Sequence, residues 1–436
     1  MPQPRRGGAT GVALFGRAVH GTLPAVRSFL PCPYDRAGGG GTNGAGVARV
    51  LVIGGGIAGT AAALALHKAG FEAEVHEAHP DSAEDIGAFL TLASNGMRAL
   101  AQLDASAVVT AVGFPLTSLR VMDDTGTEMA HAPMGAASDP LLRYRCLRRG
   151  DLNTALQAEA ARRGITVRHG ARLASVEDGP DGVTARFADG TAATGDLLIG
   201  ADGLNSAVRQ SISPGTRPFY AGQYVFYGYT RASSAPGADA CITMVRGSGA
   251  AFGYAVSPDG ETYWFARVTG DPLPAEELAQ GTPAHWRDLL LPLLRKDTTP
   301  AAGLVAATGD DLMVTHATEI PTGTQWRSGR TLLIGDAAHA ASPATGQGAS
   351  MALEDAVVLA KSLRDAPDTD AALALYETLR RPRVEHNITV SGNISRGTPT
   401  PSAAARPSDE DLVRLLEWGG DLWAEHQVEK GQRFGI

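Results

Sequence analysis

The chain has 436 residues, 44% hydrophobic and 19% charged, a composition that supports one large α/β unit or two to three domains with a buried core. A formal net charge of −8 argues against nucleic acid as a main partner, because no overall positive field draws in phosphates. The three cysteines, Cys32, Cys146 and Cys241, lack C-x-x-C spacing, and the eleven histidines lack H-E-x-x-H spacing. Neither a disulfide framework nor a metal site is expected, and a reducing cytoplasm is the natural compartment.

In chain order, residues 1–47 come first. They are rich in Arg, Gly and Pro, and Asp35 is their only acid. They read as a disordered or non-native leader outside the fold, since Arg17 and His20 interrupt the one apolar patch that a secretory signal would need. No apolar run is long enough to span a membrane.

Regular structure is expected from "VARVLVIGGGIAGTAAALALHKAGFEAEVHE" (47–77). "VLVIG" is the continuous apolar run of a parallel strand covered on both faces. Gly54-Gly55-Gly56-Ile57-Ala58-Gly59 is a G-x-G-x-x-G at the strand-to-helix turn. Gly54 permits the tight turn, Gly56 admits a pyrophosphate near the backbone, and Gly59 lets helix and strand pack closely. The helix ends at Gly70 and a second strand ends in Glu77, about 20 residues on, where an acid accepts hydrogen bonds from an adenosine ribose. This finger fits FAD and NAD equally.

Three later stretches add to it. The basic run 143–150, "RYRCLRRG", reads as a solvated helix start for all but one of its arginines. "GDLLIGADGLNSAVRQ" (195–210) is an apolar strand running into Asp202-Gly203. "TLLIGDAAHAASPATGQGASMALEDAVVLAKSL" (331–363) is another strand, ending at Gly335-Asp336, then a loop stripped of side chains, then a long helix from near Ala349. Neither of these two carries a Walker lysine, so nucleoside triphosphates are not favoured.

Over residues 48–390, the three fingerprints in this order resemble the FAD-dependent aromatic hydroxylases of the para-hydroxybenzoate hydroxylase type, single-component flavin monooxygenases. The resemblance implies an α/β fold: a Rossmann-like FAD-binding domain with a parallel sheet and helices, an inserted, mostly antiparallel β-sheet substrate domain, and C-terminal helices. The expected divisions are 1–47 leader, 48–120 and 121–215 as FAD-binding parts 1 and 2, 216–320 as the substrate-covering sheet, 321–395 as FAD-binding part 3, and 396–436 as a tail helix.

Residue by residue, the resemblance implies that Gly54, Gly56, Ile57, Ala58 and Gly59 hold the FAD pyrophosphate and that Glu77 binds the ribose. Arg149 contacts the flavin, Asp202 and Gly203 serve the pyrophosphates of FAD and NAD(P)H, and Gly335 and Asp336 serve the ribityl chain. Pro343, Gly346, Gln347 and Gly348 lie against the isoalloxazine ring. There the positive end of the following helix would favour negative charge on the reduced flavin. Ala78 departs from the basic residue that many relatives carry after the ribose-binding acid. His339 in "GDAAH" belongs with the loop scaffold.

Between the second and third fingerprints, "QYVFYGYTRA", "DACITMVRGSGAAFGYAVSP" and "ETYWFARVTG" alternate apolar and polar residues, as antiparallel strands with one covered face do. Phe226, Tyr227, Met244, Arg246, Phe252, Tyr254 and Trp264 are the candidate substrate residues. Residues 274–297 and 370–393 read as helices, the second interrupted at Pro382, and 408–427 as a short terminal helix capped by Ser408.

The resemblance then implies an NAD(P)H-dependent monooxygenase. It would place one atom of O2 on an electron-rich aromatic or polyketide-like molecule, or on an alkene, through a flavin C4a-hydroperoxide. FAD is the resident cofactor and NADPH or NADH the transient donor, in a monomer or homodimer. The spacing names no catalytic base. Epoxidation, Baeyer–Villiger oxygenation and simple reduction remain open on the same scaffold, as does a non-catalytic nucleotide-fold protein. The W-x-W-x-I-P motif of flavin halogenases is absent.

Overall fold

The computed structural model describes residues 48–82, 88–135, 138–232, 239–400 and 409–434. The leader with Cys32, and the cap expected at Ser408, lie outside them. The strand Arg49–Ile53 pairs in parallel with Glu72–His76 on one side and Leu197–Gly200 on the other. It lies inside a six-stranded sheet ordered Arg327–Ser328, Thr331–Leu333, Leu197–Gly200, Arg49–Ile53, Glu72–His76, Thr166–Arg168. Leu51, Val52, Leu198 and Ile199 are wholly buried, which is why these strands read as unbroken apolar runs. The first and third fingers and the 195–210 stretch therefore follow the carboxyl ends of three neighbouring parallel strands inside this sheet.

The first helix, Ile57–Lys68, starts in the glycine turn, with Gly70 beyond its end at φ +93°. It packs against the long helix Gly348–Asp365, and their small and apolar residues share one core. Two three-stranded sheets complete this body: Leu173–Gly179, Gly182–Phe187 and Ala192–Gly195, and Phe89–Leu92, Tyr144–Arg148 and Phe114–Leu116.

A seven-stranded sheet stands over it, ordered Leu312–Glu319, Phe219–Thr230, Thr262–Thr269, Ala251–Val256, Cys241–Arg246, Ser118–Asp123, Glu128–Pro133. Its pairs are antiparallel except Cys241–Arg246 with Ser118–Asp123. Two of its strands come from before the second fingerprint, so the sheet reaches outside the 216–320 segment. One face buries Phe226, Phe252, Tyr254 and Trp264 against Trp286, Leu290 and Leu304, which belong to the helices Pro283–Leu294 and Ala301–Ala307. The other face turns toward the nucleotide-binding body.

Four local expectations change. Residues Tyr144–Arg148 of the basic run form a strand paired on both sides, and the helix starts only at Arg149. The 274–297 segment is two helices, Ala275–Gln280 and Pro283–Leu294, because Thr282 caps the second by accepting the His285 N–H. The helix Thr369–Arg396 runs through Pro382 unbroken. Arg380, Arg381 and Arg383 on either side of the proline are paired with Glu354, Asp355, Glu377 and Glu385, offsetting the lost backbone bond. The tail is two helices, Asp409–Leu416 and Leu422–Phe434. Lys361, fully buried, donates to the Leu415 and Glu417 carbonyls and ties the first of them down.

Candidate functional site

At Gly54, with φ +105°, a Cβ would lie 2.4 Å from the Ala201 carbonyl oxygen; at Gly59 it would lie 1.9 Å from that of Gly54. These two glycines are demanded by the turn itself and by the packing of strand, helix and neighbouring finger. Gly56 differs, because a Cβ there would meet nothing within 4 Å. It borders open space at the start of the helix, where backbone N–H groups lack partners and the helix end is positive. This space is a cavity of about 540 Å³, walled by Gly56, Ile57 and Ala58 from the first finger, Ala201 and Gly203 from the second, and Asp336 from the third. A Cβ on Gly335 would lie 2.8 Å from that of Ala58, so the first and third fingers touch.

Glu77 lies just past the end of its strand. Its carboxylate accepts the N–H of Gly55 at 2.5 Å and that of His79 at 2.6 Å, and each oxygen retains acceptor capacity for a ribose hydroxyl. Asp336 opens the short helix Asp336–His339 and is exposed to the cavity. Arg149 is likewise exposed at the cavity wall. Asp202 is placed otherwise. Its carboxylate accepts from Ser206 Oγ at 2.5 Å and from the N–H groups of Ala207 and Val208 at 2.7 and 3.1 Å. It thus closes its own turn and caps the Ala207–Ile212 helix, while Gly203, at φ +74°, presents the backbone to the cavity. Burial raises the Asp202 carboxyl above its ordinary value, and these hydrogen bonds only partly oppose the rise.

The far end of the cavity is the loop Pro343–Gly348. Pro343–Thr345 form a single 3-10 turn, Gly346 takes φ +65°, and Gln347 precedes the helix that begins at Gly348. Gly348, exposed, would also meet nothing with a Cβ. The loop is tied from behind. Thr345 donates its N–H to Ser391 Oγ at 3.2 Å, and its hydroxyl lies 2.9 Å from Asn387 Oδ1. Gln347 accepts from Asn95 Nδ2 at 3.1 Å. His339 is buried, with Nε2 2.6 Å from Asp355 Oδ2, and Asp355 also accepts from Gly335 N–H and Arg380 Nε. His339 is scaffold, remote in role from the reacting space.

The sheet roofs the loop with one face only. Of the seven candidate substrate residues, Tyr227 and Met244 line the cavity. Phe226, Phe252, Tyr254 and Trp264 do not. They point to the opposite face, where Phe252 stacks on Trp264 with ring centroids 5.5 Å apart and Trp264 donates Nε1–H to Thr308 Oγ1. Successive strand residues face opposite ways, so a one-residue difference along a strand separates core from cavity. Arg246 is exposed at the end of its strand, beyond the cavity.

The residues missed by sequence reading follow from the same period. Val225, Ile242, Phe265 and Arg267 share the Tyr227 face, and Phe89 meets Tyr227 and Phe265 with centroids 6.1 Å from each. Pairing Tyr227 with Phe265 across the sheet would have found them; the sequence has no signal for that register. Arg267 donates Nη1–H to the Ala344 carbonyl at 3.2 Å, and its buried Nε has no hydrogen-bond partner. Burial pulls its guanidinium below the usual value, and burial pushes the Tyr227 hydroxyl up to about 12 against the opposing charges of Arg267 and Arg149. Among the described residues walling the cavity, Asp336 is the only acid.

The arrangement is a cleft that joins the glycine turn of the first finger, the exposed carboxylate of Asp336 and, at one end, the loop Pro343–Gly348 with its two glycines, while Glu77 is bonded to the turn through Gly55. These features fit FAD. Residues 47–391 match the family described as FAD binding domain. The chain is 32% identical over 377 residues to the aurachin C monooxygenase/isomerase of Stigmatella aurantiaca, covering 84% of this chain and 94% of that protein. It is also 32% identical over 348 residues to a 3-amino-4-hydroxybenzoate 2-monooxygenase of Streptomyces cremeus, covering 77% and 84%. In structure it is similar to Klebsiella pneumoniae HpxO complexed with FAD and uric acid, with a TM-score of 0.72, 28% identity, and 89% and 94% of the two chains covered.

Proposed function

Since this chain belongs to the FAD-dependent aromatic hydroxylases and is an FAD-dependent monooxygenase, we propose that it oxygenates a planar, electron-rich aromatic molecule bearing an acidic or carbonyl oxygen, with NAD(P)H as reductant. The observation that supports this is Arg267: a half-buried guanidinium whose buried Nε has no partner, in the cavity with Tyr227, Phe265 and Phe89 and in an ion pair with no carboxylate among the described residues. Leaving a cation desolvated is costly. An anionic or strongly accepting oxygen on the substrate would offset that cost, and the aromatic walls would take the ring.

FAD, when bound, supplies the oxygen activation, one atom of O2 going to substrate and the other to water. The chain's own residues then have distinct tasks. Gly56, Ile57 and Ala58 would hold the pyrophosphate in the turn that Gly54 and Gly59 shape, and Glu77 would hold the ribose. Gly203, Gly335 and Asp336 would border the ribityl chain, and Arg149, Pro343, Gly346, Gln347 and Gly348 the ring, with Asp202 acting through its turn. The N-terminus of the Gly348–Asp365 helix would favour negative charge at the loop. Tyr227, with its hydroxyl held protonated at neutral pH, would donate a hydrogen bond rather than serve as base. Val225, Ile242 and Phe265 would keep water from the reacting carbon.

The test is to load the protein with FAD and screen phenolic acids, hydroxyquinolines and purinones for stimulated NAD(P)H consumption under labelled O2. One labelled atom in the product supports the reading; NAD(P)H consumption with no label in product would make the protein a reductase. Arg267→Gln is expected to raise the substrate KM about 10- to 100-fold, the loss of a charge-assisted hydrogen bond, at unchanged FAD content.

A further inference from the structure

On the other side of the ring loop lies a second cavity, of about 770 Å³. Tyr144, Thr345 and Gln347 line both spaces and form the wall between them. The outer cavity is framed by Arg98 of the helix Ser94–Gln102, and by Arg383 and His386 of the helix Thr369–Arg396. No carboxylate lines it among the described residues. Arg383 is already neutralised, since Nε and Nη2 each bond Glu354 at 2.7 Å. Arg98 and His386 are half-buried, and among the described residues neither has a hydrogen-bond or ion-pair partner. The chain as a whole is acidic, so an acid-free chamber holding an unpaired guanidinium stands out electrostatically against its surroundings.

We propose that this cavity is an antechamber for the anionic aromatic substrate, which binds at Arg98 and His386 before passing Tyr144 to reach Arg267. The proposal rests on the substrate reading given above. Its physical logic is that a cleft carrying one sign of charge concentrates the opposite charge and raises the association rate, while Arg267 fixes the final pose. Thr345 and Gln347 are held by Asn387, Ser391 and Asn95. Tyr144, which belongs to a strand and packs where a Cβ on Gly135 would come within 2.7 Å of its ring, makes up the rest of the wall.

The test follows binding of 3-amino-4-hydroxybenzoate to the FAD-loaded protein by stopped-flow flavin absorbance, with 2-aminophenol as the uncharged counterpart. In Arg98→Gln, His386→Gln and the double variant, the association rate for the acid is expected to fall, about tenfold in the double variant at low ionic strength. Dissociation, FAD content and 2-aminophenol association should stay as in the wild type, and added salt should bring the wild type down to the variants. An association rate and salt dependence equal to wild type would overturn the proposal, as would equal slowing of 2-aminophenol, which would signal a collapsed cavity. Arg267→Gln separates the two layers. If it speeds dissociation of the acid while Arg98→Gln leaves association untouched, the antechamber is rejected and the substrate reading stands. If the wild type binds no anionic probe and Arg267→Gln changes nothing, both fall.

Discussion

At Gly56 a methyl group would project into empty space, whereas at Gly59, three residues on, it would strike backbone. The two glycines of one motif therefore answer to different masters. Gly56→Val should leave the FAD-free protein folded, with its melting temperature close to wild type, yet abolish FAD retention by filling the space proposed for the pyrophosphate. Gly59→Val should lower the melting temperature of the FAD-free protein itself. Equal effects of both variants on the FAD-free protein, read by calorimetry, would contradict this division. Asp336 gives the second prediction at this scale. Its carboxylate is exposed to the cavity, so in the role proposed for it Asp336→Ala would remove a charge-assisted hydrogen bond to the cofactor, worth about 1.5–3 kcal/mol. FAD titration followed by fluorescence should show affinity roughly 10- to 100-fold weaker. Asp202 carries the opposite lesson: the same residue type after a similar strand spends its carboxylate on its own helix N-terminus.

Among elements, the strand Thr262–Thr269 shows what was legible and what was not. Alternation marked it as a strand with one covered face, but alternation gives two faces without saying which is which. Trp264 is the larger and more conspicuous ring, and it is core; Phe265 beside it faces the cavity. Trp264→Ala should cost about 3–5 kcal/mol of unfolding free energy. Phe265→Ala, at a half-buried position, should cost less and act mainly on substrate KM. Urea unfolding alongside steady-state kinetics checks the pair. The glycine-rich turns, by contrast, could be read from sequence, because their chemistry is local: the positive φ at Gly54, Gly335 and Gly346 is a demand of a single position. Pro382 misled for the reverse reason. Its local rule was outweighed by the ion pairs of the arginines on either side of it: Arg381 pairs within its own helix with Glu377 and Glu385, but Arg380 and Arg383 pair with Glu354 and Asp355 of the preceding helix, partners that chain order does not reveal.

For the molecule as a whole, Asp355 is where several parts meet. It accepts from Gly335 of the third finger, from His339, and from Arg380 on the Thr369–Arg396 helix. Burial alone would raise its carboxyl, but the charges of His339 and Arg380 outweigh burial and hold it at about 2. With the folded value below the unfolded one, this group's contribution is fully present above about pH 4 and is lost as the pH falls through about 2. The loss is on the order of 2 kcal/mol, and Asp355→Asn should flatten that part of a stability-versus-pH curve. The order of fingers along the chain forecast a single nucleotide cleft, and the six-stranded sheet sets them side by side at the carboxyl ends of neighbouring strands. The seven-stranded roof recruits Ser118–Asp123 and Glu128–Pro133 from far upstream, a pairing that no local pattern announces. That roof also has a consequence for how such proteins diversify. Because alternate residues of Phe219–Thr230, Cys241–Arg246 and Thr262–Thr269 face the chamber while their neighbours Phe226, Val245 and Trp264 pack in the core with the supporting helices, selection can redraw the inward set for a new small molecule while the outward set goes on holding the domain together.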